Sequence, residues 1–142
     1  MMKKVLCVDD DSISLTISKL LLKRTGFAEE VHTAVDGSEA IDFFTQLFED
    51  NIDPASAAPN LIILDINMPV MNGWEFLEEY MKQFSDKLPN TKVIILSSTI
   101  DPEDFSKAKK YAVVAQFVSK PLSVENLTEL KENDFVKDYF NQ

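Results

Sequence analysis

Cysteine and histidine each occur once, as Cys7 and His32, and that scarcity removes whole classes of site. No internal disulfide can form, and neither a cysteine-rich zinc centre nor one built from several histidines can be assembled within the chain. Cys7 lies in an apolar run and reads as core, and His32 reads as a strand residue without catalytic work. Long apolar stretches are lacking too. None approaches the roughly 20 residues that cross a bilayer, so no membrane insertion is expected. The opening MMKK leads into VLCV, an apolar run too short for a secretory signal, and aspartates follow at once, so a cytoplasmic location is expected. Positive charge is also in short supply. Against 24 Asp and Glu stand 14 Lys and Arg, a formal net charge of -10. That balance argues against direct nucleic-acid binding and against adhesion to anionic membranes, and leaves a protein as the expected partner. What is present is an ordinary globular composition, 45% hydrophobic over 142 residues, which fits one domain with a full-sized core.

The most informative stretch is LIILDINMPVMNG, residues 61–73. Leu61 to Leu64 form an unbroken apolar run, which suits a parallel strand covered on both faces. The strand should stop at Asp65, because Pro69 cannot donate to a ladder and Asn72-Gly73 signals a turn before a helix that starts near Trp74. Asp65 then stands at a carboxyl-terminal strand edge, where open α/β sheets collect ligands and chemistry. Its bland alternative is a turn aspartate that accepts local N–H bonds.

Taken in order, Val5 to Val8 predicts a first strand that ends in Asp9, Asp10 and Asp11. Three adjacent carboxylates repel one another and need solvent, a helix N-terminus or a cation. Ser12 is the expected cap of a helix with Ile13, Ile17, Leu20 and Leu21 as its buried stripe, ended by Gly26. Glu30 to Val35 predicts a second strand, and Ser38 the cap of a helix that buries Ala40, Ile41, Phe44, Leu47 and Phe48. Residues 49–60 read as a surface loop. Trp74, Leu77, Tyr80, Met81 and Phe84 mark a third helix. Lys92 to Leu96 predicts a fourth strand, closing in Ser97, Ser98 and Thr99. Asp101-Pro102 suits an N-cap and first helical position, and the exit YAVVAQF lacks the glycine of a left-handed cap. Ala115 to Val118 predicts a fifth strand, and Ser123 caps a last helix through Leu127 and Leu130. The end, KENDFVKDYFNQ, is expected to extend that helix or to fray.

Five strands alternating with five helices predict a flavodoxin-like, doubly wound parallel α/β sheet of order 2-1-3-4-5. That topology gathers the ends of strands 1, 3, 4 and 5 at one edge. Asp9, Asp10 and Asp65 become three oxygen donors suited to Mg²⁺, Ser97 adds a hydroxyl and Lys120 a point charge. These are the parts of phosphoryl transfer to an aspartate. Asp65 is the best nucleophile, alone on the central strand, whereas Asp9 and Asp10 suit metal ligation.

The chain resembles a response-regulator receiver domain, of the stand-alone, chemotaxis-type single-domain kind. The matching pieces are VLCVDDD at 5–11, LIILDINMPVMNG at 61–73, VIILSS at 93–98 and FVSKP at 117–121. The resemblance covers 3–131, so residues 1–131 are the expected receiver and 132–142 a tail or an extension of the last helix. It implies that Asp65 accepts a phosphoryl group from a sensor histidine kinase or a histidine phosphotransfer protein. It implies Asp9 and Asp10 at the metal with the backbone carbonyl of Asn67, and Ser97 and Lys120 at the phosphoryl oxygens. It also implies a cis Lys120-Pro121 bond. The protein would not be an enzyme beyond self-phosphorylation from small donors and autodephosphorylation. Ser97 replaces the family's usual threonine and keeps the hydroxyl. Phe117 replaces a frequent tyrosine and loses one. Phosphorylation would draw Ser97 inward and admit Phe117, shifting a protein-binding face toward an unknown downstream target.

Two rivals belong to other classes. A haloacid-dehalogenase-like phosphohydrolase would use aspartates two apart, as Asp9 and Asp11 are, but Ile13 stands where its threonine belongs. A receiver fold used as a phosphorylation-independent binding module would tolerate loss of acidic residues that are intact here.

Overall fold

Alternation of short apolar runs with amphipathic segments produces a three-layer α/β architecture, seen in the computed structural model, which describes residues 1–68, 70–98 and 101–140. In order come β1 (Met2–Val8), α1 (Ser12–Arg24), β2 (Ala28–Ala34), α2 (Gly37–Asp50), α3 (Pro54–Ala57) and β3 (Leu61–Leu64). Then follow α4 (Gly73–Gln83), β4 (Lys92–Ser97), α5 (Pro102–Ala108), β5 (Val114–Ser119) and α6 (Val124–Leu130), with 3₁₀ turns at Ser85–Lys87 and Lys137–Tyr139. The sheet is parallel, in the predicted order β2-β1-β3-β4-β5. The expected role of Pro69 as strand terminator and of Thr99 as a third strand-end hydroxyl lie outside the described residues, as do the final residues Asn141 and Gln142.

Strand side chains alternate between two buried layers, as a sheet covered on both faces requires. Leu6, Val8, Ile62, Leu64, Val93 and Ile95 join Phe44, Phe76, Tyr80 and Phe84 under α2 and α4. Val5, Cys7, Leu61, Ile63, Ile94 and Leu96 join Leu15, Leu22, Leu127 and Leu130 under α1 and α6. Cys7 is core, as predicted, and burial pushes its thiol up to about 12 with a smaller contribution from the Asp9 charge. His32 lies on β2 beside Glu30 and the Phe43 ring.

Several expectations need correction. The buried face of α1 is Leu15, Ser18 and Leu22, while Ile13, Ile17 and Leu20 are 70%, 44% and 47% exposed. Both sets have helical spacing, and the exit decides between them. Phe27 N–H donates to the Leu22 carbonyl at 3.0 Å and Gly26 takes φ +68°, which turns Leu22 and Phe27 onto the sheet together. Ser12 and Ser38 do not cap. Asp11 accepts from Ile13 and Ser14, and Asp36 accepts from Glu39, because each aspartate reaches the free N–H groups before the serine does. The second strand starts at Ala28 and ends before Val35, which is exposed. A sixth helix, the single turn α3, interrupts the 49–60 loop. The tail neither extends α6 nor frays over its described length. Val136 is fully buried, the Phe140 ring packs on Phe27 at 4.9 Å, and the Met1 amino group donates to the Tyr139 carbonyl. Asp101, with Pro102 behind it, and Ser123 cap α5 and α6 as predicted, and α5 ends without a left-handed residue at Lys109.

Candidate functional site

Parallel register fixes where the strand ends meet. Asp65 N–H donates to the Val8 carbonyl at 2.9 Å and Asp9 N–H to the Ala34 carbonyl at 3.0 Å, so both carboxylates leave the sheet at one level. Ser97 pairs in register with Ser119, and Lys120 N–H donates to the Ser97 carbonyl at 2.8 Å. The Lys120-Pro121 peptide is cis, as the resemblance implied. Asp9, Asp65 and Ser97 are buried, Lys120 is half-buried, and Asp10 and Asn67 face solvent.

The polar contacts converge. Lys120 Nζ lies 2.6 Å from Asp9 and 3.3 Å from Asp65. Asn67 N–H donates to Asp65 Oδ1 at 3.1 Å, and its side-chain amide lies 3.5 Å from the Ser97 hydroxyl. Burial raises the Asp65 pKa above its ordinary value, against the Asn67 N–H bond, with the Asp9 charge adding to the rise and Lys120 opposing it. Burial disfavours the Lys120 ammonium, but its bond to Asp9 and the charges of Asp65 and Asp9 outweigh that, and its pKa is raised. The Asp65 carboxylate with the Lys120 ammonium beside it is an arrangement that can serve as a nucleophile with a counter-ion for the negative oxygens of an incoming group.

One carboxylate oxygen each from Asp9, Asp10 and Asp65 lie within 4.8 Å of one another. An all-oxygen set of that span fits a hard divalent cation such as Mg²⁺. Every residue singled out from the sequence for this edge is brought to it except Phe117, which sits on β5 with its ring 4.8 Å from Phe105. Asp11 turns its carboxylate to the start of α1, so the aspartate pair of the phosphohydrolase rival is not assembled.

Sequence reasoning passed over the support of the loop that follows Asp65. Gly73 N–H bonds the Ile66 carbonyl at 3.2 Å, and a Cβ there would come within 2.7 Å of the Asp65 carbonyl oxygen and Ile66 Cα. Only glycine lets α4 begin this close to the end of β3. Gly37 N–H donates to the Met71 carbonyl at 3.1 Å, tying the loop to α2. Val70, a β-branched residue 84% exposed, is held at φ +70°, a strain of about 1–3 kcal/mol. Turn signals at Asp36-Gly37 and Asn72-Gly73 were visible, whereas the Met71 partner of Gly37 is remote in sequence and the close approach of Gly73 to Asp65 and Ile66 depends on how the intervening loop folds back. Trp74 is half-buried, stacked on Tyr111 at a centroid distance of 6.1 Å under Lys107 Nζ at 5.0 Å, so it packs rather than lining the carboxylates.

Comparison with known proteins agrees with this geometry. A family described as "Response regulator receiver domain" matches residues 5–132. The chain is 30% identical over 127 residues to the chemotaxis protein CheY of Thermotoga maritima, covering 89% of this chain and 92% of that protein. It is 32% identical over 130 residues to hybrid signal transduction histidine kinase L of Dictyostelium discoideum, of which it spans 7%. Among solved structures, a two-component response regulator from Cytophaga hutchinsonii superimposes with a TM-score of 0.83 at 30% identity, over 99% of this chain and 98% of that one.

Proposed function

The chain belongs to the response regulator receiver domain family, and on that premise we propose that Asp65 is its phospho-acceptor, loaded by a histidine kinase or a histidine phosphotransfer protein. Receivers serve two-component signalling. A carboxylate oxygen of Asp65 attacks phosphorus, the phosphorus–nitrogen bond of the donor histidine breaks, and the electron pair leaves with the imidazole. Asp65 is held for in-line attack by the Asn67 N–H bond and by Lys120. Lys120 then neutralises charge on the transferring oxygens, and Ser97 donates its hydroxyl to one of them. Asp9, Asp10, Asp65 and the Asn67 carbonyl would hold Mg²⁺, which when bound supplies charge neutralisation for the phosphoryl group. Residues 1–131 carry this chemistry, and 132–142 serve as a tail. The signal leaves through the face where Phe117 meets α5, shifted in population as Ser97 is drawn to the phosphoryl oxygens. No turnover of an external substrate is expected beyond phosphorylation from small donors and its reversal.

The observation that carries this reading is the position of Lys120 Nζ between the Asp9 and Asp65 carboxylates. Intact mass after incubation with acetyl phosphate and Mg²⁺ tests it. The native chain should gain one phosphoryl group, with no gain for Asp65→Asn or with EDTA. Equal gain in Asp65→Asn would overturn the assignment. So would no gain in the native chain together with no beryllofluoride binding.

A further inference from the structure

A groove of about 510 Å³ lies between α2 and the β2 side of the sheet, and none of the residues gathered around Asp65 lines it. β2 stands first in the sheet order, so its outer edge is not covered by another strand. Along the rim α2 presents Glu39, Asp42, Gln46 and Asp50 at helical spacing, and Phe43 stands behind them. Phe43 is held in place. Its ring meets the fully buried Phe44 edge-on at 5.3 Å and lies 5.6 Å from the His32 ring on β2. The other end is fixed as well. Lys4 Nζ donates to the Ala57 carbonyl at 2.9 Å, and Asn60 Oδ1 accepts from the Lys3 and Lys4 N–H groups at 2.9 and 3.3 Å, which pins the end of the 49–60 segment to β1.

The groove is short of cations. Its lining sets three carboxylates, Glu39, Asp42 and Asp50, against one ammonium, Lys4. That ammonium is already engaged by Ala57 and lies 4.0 Å from Glu30 Oε2. Among the described residues none of the three carboxylates is ion-paired. Glu29 and Glu30 are exposed and carry the negative charge onto the strand itself. A second copy of the chain would bring the same carboxylates against their twins across a twofold axis, and an acidic segment would be repelled outright. A basic segment meets opposite charge from the helix and from the strand. Phe43 then separates one base from another. A guanidinium stacks on a ring while its planar fork donates two bonds to a carboxylate, whereas an ammonium offers only a point charge.

We propose that this groove binds an extended, arginine-bearing segment of a partner protein, laid along the outer edge of β2 with its guanidinium groups between Phe43 and the carboxylates of α2. The surface is separate from Asp65 and from the face where Phe117 meets α5, so binding requires no phosphorylation and the inference stands independently of the function proposed above.

Fluorescence anisotropy with three dye-labelled peptides tests the assignment. One alternates arginine with threonine, and the others carry lysine or glutamate in place of every arginine. Each is titrated with the full, unphosphorylated chain at about 0.15 M salt, where charges more than about 8 Å apart are largely screened. The arginine peptide should bind about threefold tighter than the lysine peptide and at least about tenfold tighter than the glutamate peptide. Asp42→Lys, at an exposed position, should weaken it about tenfold, while Glu129→Lys on α6, which covers the opposite face of the sheet, should change it less than about twofold. Phe43→Ala should bring the arginine and lysine peptides to equal affinity. Equal weakening by Asp42→Lys and Glu129→Lys would overturn the proposal, since attraction to net charge alone would then explain binding. So would no binding of the arginine peptide, or equal affinity of the native chain for arginine and lysine. Sedimentation of the chain alone provides the remaining outcome: a dimer that Phe43→Ala dissociates would assign the groove to a second copy and overturn the proposal.

Discussion

The helices that follow β3 and β4 leave adjacent strands of one sheet and are held in opposite ways. α4 runs 11 residues from a capping box in which Asn72 and Glu75 satisfy each other's backbone N–H groups, and it buries Phe76, Leu77 and Tyr80. Phe76 and Tyr80 lie 5.7 Å apart, within a group of rings that includes Phe44 and Phe84. α5 runs 7 residues and its one buried residue is Ala108. Its other holds are half in solvent: Phe105 against Phe117, Lys107 over Trp74, and, just past its end, the Tyr111 hydroxyl on Glu78. Exposed contacts of this kind contribute roughly 0.5–1 kcal/mol each, against several for a buried ring. The helix after the Asp65 strand is therefore part of the core, and the helix after the Ser97 strand is fastened from outside, with the smaller local stability that such contacts give.

The largest expected effect attacks the fixed helix. Phe76→Ala should cost about 3–5 kcal/mol, read as a lower urea midpoint, while Phe105→Ala on α5 should cost under about 1 kcal/mol. Comparable losses at the two positions would erase the contrast. Gly73→Ala should cost less, about 1–3 kcal/mol, because the added Cβ pushes the start of α4 against the Asp65 carbonyl and Ile66. It should also slow phosphorylation by acetyl phosphate, since the displaced atoms belong to the acceptor loop. A stability loss with an unchanged rate would show that α4 can retreat without moving Asp65.

The smallest effect concerns the outer fastening. Burial first, and then the hydrogen bond and charge of Glu78, push the Tyr111 phenol up from 10.0 to about 12. The folded chain thus holds the phenolic proton more tightly than the unfolded one. The resulting stability is complete below pH 10.0 and lost as pH rises toward about 12. Tyr111→Phe should flatten that part of the pH profile, measured by urea unfolding, with the native phenolate titration followed by absorbance. A native phenol that titrates at its ordinary value would mean the contact with Glu78 is not kept in solution.

The site was far more legible in the sequence than the packing around it. Asp9, Asp10, Asp65, Ser97 and Lys120 each end an apolar run, and the sheet order follows from alternating elements, so local pattern sufficed to bring them together. The phase of α1 was not legible. Ile13, Ile17 and Leu20 look more apolar than Leu15, Ser18 and Leu22, and only the turn through Gly26 to Phe27 selects the set that contains a serine. The caps were misplaced by one or two residues because aspartate and serine are chemically equivalent at that position. The fate of the tail depended on contacts with Phe27 and Gln116, more than a hundred and some seventeen positions away, and no local signal carries such information.

The contact between the Met1 amino group and the Tyr139 carbonyl has a topological consequence. The path through the described residues is nearly a closed ring, joined at the amino-terminal edge of the sheet, while the carboxylates sit at the other. A short linker across that junction would let the chain be reopened elsewhere, for instance beside the fully exposed Ile52, without rerouting a strand. By the same geometry, reporters or binding modules joined at Met1 and directly after Tyr139 would emerge side by side, at the pole away from Asp65, leaving the carboxylate edge uncovered.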